Sequence, residues 1–168
     1  MAAVHEMFIW ELGRLAPDDL ARLRAAVGRR MDIGVRPYDA FTGIWWRLRE
    51  VAFLPRQACW AVATLYPWNM RPRGFGNMGE ALGRVAPLRP RDRERFRARV
   101  SGLVAARGPA LTLRLAGAVR ALNRAGRGVD WPRLLGDLCH WDAPGGAKQE
   151  EWVTAYFKAE NAGGIYAR

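Results

Sequence analysis

The chain has 168 residues, of which 50% are hydrophobic and eight are tryptophan, and its formal net charge is +11. That length corresponds to about one domain able to bury roughly two-thirds of its extended-chain surface, which excludes a disordered basic tail and places the charge on a folded surface. Such a surface seeks polyanions; genome composition accounts for a choice of 25 arginines over two lysines, but not for the excess over acid.

Ala2 to Leu12 reads as a short first helix, with acidic Glu6 and Glu11 where a secretory signal would carry positive charge. Pro17-Asp18-Asp19 opens a second helix and puts both acids in the first turn, where the helix dipole favours them. Leu20, Leu23, Val27 and Met31 form its buried face, and Arg22 and Arg29 lie together opposite it, flanked by Arg30. Solvation and phosphate contact are equally good readings of these arginines.

After Gly34 and Pro37, Tyr38 to Val51 carries Phe41, Ile44, Trp45 and Leu48 at helical spacing, with Arg47 and Arg49 beside them and Trp46 off the stripe. An aromatic beside an arginine suits base stacking, yet at helical spacing core packing is the commoner role. Pro55 begins a more apolar helix through Ala58, Ala61, Val62 and Leu65, and Pro67 ends it. The longest apolar run, near Ala58 to Trp68, is too short to span a bilayer, and the protein is expected in the cytoplasm. Asn69 to Met78, NMRPRGFGNM, is a Gly- and Pro-bearing loop that carries Arg71 and Arg73. With no Gly-Lys-Ser/Thr ending and no preceding strand, it is not a P-loop.

The main shift in composition comes at Arg89 to Arg127, where eleven arginines meet only Asp92 and Glu94, for +9. Residues 1–88 sum to +4 and residues 128–168 to −2. Phe96, Val100, Leu103 and Val104 form the buried stripe of one helix here, Leu111, Leu115, Ala118, Val119 and Leu122 that of the next, and Gly108-Pro109 is the break. Arg120 and Arg124 stand opposite the second stripe as a basic ridge, extended by Arg127 if the helix lasts to Gly126. Arg107 projects near the buried side of its own helix, where a guanidinium needs a partner or an exit to water. Arg91 to Arg99 recur at every second residue, which scatters them around the helix and leaves some to pair with acids.

Val129 to Phe157 reads as an αα-hairpin. Asp130 caps its first helix, Pro132 follows where its missing N–H costs nothing, and Leu134, Leu135, Leu138 and Trp141 repeat at helical spacing. Pro144-Gly145-Gly146 stops the run, and Trp152, Tyr156 and Phe157 restart it. Cys59 and Cys139 read as free thiols of a reducing compartment, with a disulfide between them as the open alternative. Cys139, His140 and Asp142 are close in sequence, but helical neighbours point apart and no fourth ligand follows, so neither a metal nor a cofactor is expected. No Ser–His or Cys–His pair is placed for nucleophilic chemistry, which argues against an enzyme. The elements make an all-α protein, a compact bundle of eight or nine helices without a sheet. It forms one domain over residues 1–160, with sub-bundles at 1–86 and 89–160 and a flexible tail at 161–168.

Several pieces, in order, resemble the small subunit of the type I-E CRISPR effector complex Cascade, the CasB family. They are Ala40-Phe41 leading into Trp45-Trp46-Arg47-Leu48, Asn77 to Leu82, the Arg-rich helix to Ala106-Arg107, Ala118 to Leu122, Val129-Asp130-Trp131-Pro132, Asp137 to Trp141, and Trp152 to Phe157. The resemblance implies an all-helical, non-catalytic subunit, present as a pair of copies, that meets the other Cascade subunits, guide RNA and target DNA, including the displaced single strand. It further implies basic roles for Arg107 and Arg120, for Arg22 with Arg24, and for Arg71 and Arg73 in a variable basic loop. Glu80 departs from the family, whose members often carry a basic residue there. With Arg29, Arg47, Arg114, Arg124 and Arg127 these complete the candidate nucleic-acid-binding set. The competing class is a free-standing helical RNA- or DNA-binding protein.

Overall fold

A computed structural model of the chain describes residues 2–31 and 38–165. Gly34 and Pro37, expected to separate two helices, lie outside the described residues, as does 166–168 of the expected tail. Among the described residues there are nine α-helices and no strand: α1 (Ala2–Gly13), α2 (Pro17–Ala25), α3 (Tyr38–Leu48), α4 (Arg56–Leu65), α5 (Met78–Arg84), α6 (Pro90–Ala105), α7 (Gly108–Arg124), α8 (Trp131–Cys139) and α9 (Ala147–Ile165). A single 3-10 turn, Tyr66–Trp68, follows α4.

The local signals set most boundaries. Pro17 and the two acids start α2, the Asn77 side chain accepts from the Glu80 amide to cap α5, and Asp130 accepts from the Arg133 amide to cap α8. Four helices are shorter than their periodicity predicts: α2 stops at Ala25, short of Val27 and Met31, and α8 at Cys139, short of Trp141. α3 stops at Leu48 and not at Val51, because the Trp45 indole N–H donates 3.0 Å to the Leu54 carbonyl and draws the following chain back. α6 stops at Ala105, and Ala106 and Arg107 are extended, so Arg107 precedes α7 and does not sit on the buried side of α6.

The tryptophans serve mainly as polar-tipped core residues whose N–H groups tie segments together. Trp60 donates to the Arg29 carbonyl at 3.0 Å, Trp131 to Asn69 at 3.1 Å, Trp141 to Ala106 at 3.1 Å and Trp152 to the Asp137 carboxylate at 2.7 Å. Burial raises the Asp137 carboxyl above its ordinary value, opposed by the Trp152 bond and by Lys148. Trp46 alone of the α3 pair stays half-exposed, under the Arg49 guanidinium.

The expected αα-hairpin is not one. α8 packs chiefly on α1 and α4, and α9 lies along α5 and reaches α6. The two helices touch where Trp152 bonds Asp137, and the Trp141 ring, just past the end of α8, lies 4.6 Å from that of Trp152. The α5–α9 contact is close because a Cβ on Gly79 would overlap the Trp152 carbonyl, and one on Gly83 that of Tyr156. Elements from both sequence halves therefore share one core.

α9 is also bolted to α6. Arg97 Nε donates to both Glu160 oxygens, at 3.1 and 3.2 Å, and the Tyr156 hydroxyl donates to Oε1 at 2.9 Å. The Arg97 hydrogen bond, and then that from Tyr156, holds the buried Glu160 carboxyl below its ordinary 4.5 although burial pulls the other way. A carboxyl depressed on folding adds stability that is complete above its unfolded-state value and is lost as pH falls through its folded-state value. Glu160→Gln is thus expected to be less stable than the parent chain at neutral pH and to approach it as pH falls below the ordinary 4.5 and through the depressed folded-state value. Urea melts along a pH series check this; an undiminished gap at acid pH would contradict it. Among the described residues no helix is long and apolar enough to cross a membrane.

Candidate nucleic-acid interface

α6 and α7 form a pair that does not close completely. The α7 face turned toward α6 carries Gly117, Ala118 and Ala121, side chains too small to fill the space, and a groove of about 410 Å³ remains between the helices. Its floor is apolar, with Phe96, Val100 and Leu103 from α6, and its rim holds Arg99, Arg114, Arg120 and Arg124. No carboxylate lines it. Arg99, Arg114 and Arg124 are exposed and make no side-chain hydrogen bond or ion pair among the described residues. Arg120 Nε donates to the Ala116 carbonyl at 3.2 Å. Four guanidinium groups thus share one groove without neutralising acid, an arrangement whose mutual repulsion an anionic backbone relieves.

Arg24 joins this site from α2. Its guanidinium stands 4.2 Å from the Trp68 ring centroid, and that of Arg120 stands 4.9 Å from the same centroid, so one indole holds two cations. The ridge of Arg120 and Arg124 expected from the sequence is one side of this groove. Arg127 does not extend it. Gly126 takes φ +71°, the Gly126 and Arg127 amides donate to Asn123 and Leu122, and this Schellman turn throws Arg127 off the α7 axis.

Arg127 instead meets the 69–77 loop at a second, smaller cleft of about 260 Å³, with Arg71, Arg73 and Arg84 also on its wall. Arg71 donates to Asn123 Oδ1 at 2.8 Å and keeps its charge uncompensated. Arg73 is bound by Asp130 at 3.0 and 3.3 Å and by Glu6 at 3.1 Å, and the Asp130 hydrogen bond is the main reason its guanidinium is held above its ordinary value. Arg84 pairs with Glu80 at 2.6 Å.

The remaining candidates are dispersed. Arg22 pairs with Asp19 at 3.3 Å. Arg29 lies beyond the end of α2, past a turn at Gly28, and so does not share a helix face with Arg22. Arg47 reaches the Gly43 carbonyl at 3.0 Å and Glu11 at 3.5 Å. Arg107 donates to the Val104 and Ala106 carbonyls and lies 3.3 Å from Asp142. Of the eleven arginines picked from the sequence, the fold gathers Arg114, Arg120 and Arg124 in the groove, with Arg24 behind Arg120. Arg99 was missed, its signal lost in a run of arginines at alternate residues. Both cysteines are free; burial pushes the Cys139 thiol up to about 11 and that of Cys59 higher still.

The family model for CRISPR-associated protein Cse2 matches residues 19–157, from α2 through most of α9. The chain belongs to the Cse2 family. Solved structures share the fold of this Cse2-family chain. CasB from M. ruber superposes with a TM-score of 0.75 at 19% identity, covering 98% of each chain. A CRISPR-associated protein of the Cse2 family from Thermus thermophilus gives 0.72 at 23% identity over 92% of this chain and 98% of its own. A chain of a CRISPR RNA-guided surveillance complex gives 0.79 at 18% identity over 99% of both. No curated protein sequence matches this Cse2-family chain.

Proposed function

We propose that this Cse2-family chain is a non-catalytic subunit of a cytoplasmic RNA-guided surveillance complex of the Cascade type, and that it holds nucleic acid on the α6–α7 groove. The observation that carries this reading is the set of four groove arginines with no carboxylate among them. Guanidinium groups on an open apolar floor attract a phosphate backbone through counterion release and read no sequence. Such a subunit needs no more than that, because base pairing to a guide RNA supplies specificity. Exchange of a DNA duplex for an RNA–DNA heteroduplex is nearly balanced, so modest electrostatic help to the displaced strand tips it. The partners on this reading are guide RNA, target DNA with its displaced strand, the larger subunits and a second copy of the chain.

Affinity purification of the tagged chain from its host tests the proposal. Co-elution with a guide RNA and larger subunits is expected, together with weak binding of bare strands by the isolated chain and much tighter binding in the assembly. Recovery of the chain alone, already binding strands tightly, would point to a free-standing nucleic-acid-binding protein instead.

A further inference from the structure

Among the described residues the aromatic side chain with the greatest fractional exposure lies outside the groove. Phe75 is 85% exposed, on the loop between the 3-10 turn and α5. An exposed ring on a loose loop would mean little, but this loop is tied down at several residues. Asn69 Nδ2 donates to the Arg127 carbonyl at 2.8 Å, its own carbonyl accepts from Trp131, and the Gly74 amide donates to Val129 at 3.2 Å. Arg71 and Arg73 bond to Asn123 and Asp130 across the same seam. The glycines on either side of Phe75 leave it no freedom either. A Cβ on Gly74 would overlap the Gly128 carbonyl, and Gly76 takes φ +81° above the Glu80 side chain. The backbone that carries the ring is therefore held in place, and the ring stands out into solvent from that fixed anchor.

Its surroundings select a partner. The cleft beside Phe75 carries the uncompensated cations Arg71 and Arg127, and the nearest carboxylate, Glu80, is already held by Arg84. α5 stands between this cleft and the α6–α7 groove, with Ala81 on the wall of one and Leu82 on that of the other, and Arg124 and Arg127 lie on the two sides of the α7 C-terminus. A strand whose phosphates leave the groove at Arg124 would pass the α7 C-terminus to reach the cleft that Arg127 and Phe75 line. We infer that Phe75 is a stacking platform for an unpaired base of the strand that the groove holds; this rests on the strand-binding reading of the groove. A flat, solvent-facing aromatic surface beside cations fits single-stranded nucleic acid whatever its sequence, whereas a protein partner would have to bring its own carboxylates to Arg71 and Arg127.

The test measures binding of a single-stranded oligodeoxynucleotide containing 2-aminopurine, and of a matching abasic oligonucleotide, to the full chain at low salt. Phe75→Ala is expected to weaken binding of the base-bearing strand by roughly tenfold and to relieve 2-aminopurine quenching. It should leave the salt slope and the melting temperature unchanged and bind the abasic strand like the parent chain, and Phe75→Trp should restore quenching. Equal affinities of the parent chain and Phe75→Ala for the base-bearing strand, with Arg114→Glu/Arg124→Glu still impaired, would overturn the stacking role and leave the groove standing. Unimpaired strand binding by Phe75→Ala together with lost recovery of larger subunits would overturn it in favour of protein docking. Failure of the parent chain to bind either strand at low salt, both alone and in the assembled complex, would overturn both readings.

Discussion

Arg114→Glu combined with Arg124→Glu is expected to lower affinity for a single-stranded oligonucleotide by on the order of 100-fold at low salt. Each guanidinium that meets a phosphate contributes about 0.7 to the slope of log affinity against log salt for a single strand, so losing two flattens it by about 1.4. The two glutamates add repulsion in a groove that otherwise holds no acid. Neither arginine has a side-chain partner to orphan, and both are exposed. Stability should therefore stay within about 0.5 kcal/mol of the parent chain. Arg14→Glu with Arg133→Glu makes the same change in net charge at exposed positions after α1 and on α8, outside the groove lining, and is expected to cost far less. Fluorescence anisotropy across a salt series separates the two. Unchanged affinity, or an equal loss in the control pair, would refute a local site.

Trp141→Ala is expected to cost about 3–5 kcal/mol of stability, among the largest losses available to a single substitution. The ring is 2% exposed and packs on Trp152 at 4.6 Å. Its N–H satisfies the Ala106 carbonyl at 3.1 Å, in the connection between α6 and α7, and its own carbonyl accepts from Gln149 at 2.6 Å. Alanine leaves a cavity the size of an indole and removes one of the two hydrogen bonds to the Ala106 carbonyl, the other coming from Arg107, at the hinge of the basic pair. In a domain of this size the midpoint should fall by roughly 10 °C. Trp141→Phe, which refills most of the volume, should recover part of the loss. A midpoint that does not move would show that the ring carries no core load.

The buried stripes of α7 and α8 were legible in the sequence because Leu111, Leu115, Val119 and Leu122, and Leu134, Leu135 and Leu138, keep helical spacing that only one face can satisfy. Asp130 announced its helix by the same local logic. The groove was not legible, since it depends on small residues at Gly117, Ala118 and Ala121 meeting a neighbour that sequence periodicity does not orient. Arg73 illustrates the reverse problem. It reads as a free loop cation, but the carboxylates that neutralise it, Glu6 and Asp130, come from α1 and the cap of α8. Arg120 draws its partner Trp68 from a distant turn. The α8–α9 hairpin failed because adjacency in sequence was read as adjacency in space, while Gly79 and Gly83 let α9 lie closer to α5. Phe75 did leave a trace, as an aromatic on no helical stripe with a glycine on each side.

The Glu160 bolt also bears on the order in which the molecule is made. Residues 89–127 leave the ribosome before residue 160, so the arginine-rich helix is synthesised ahead of the carboxylate that fixes it to α9. Every residue that lines the groove lies between 82 and 124, so its walls are synthesised before residue 160, and α9 then braces α6 from behind at Arg97.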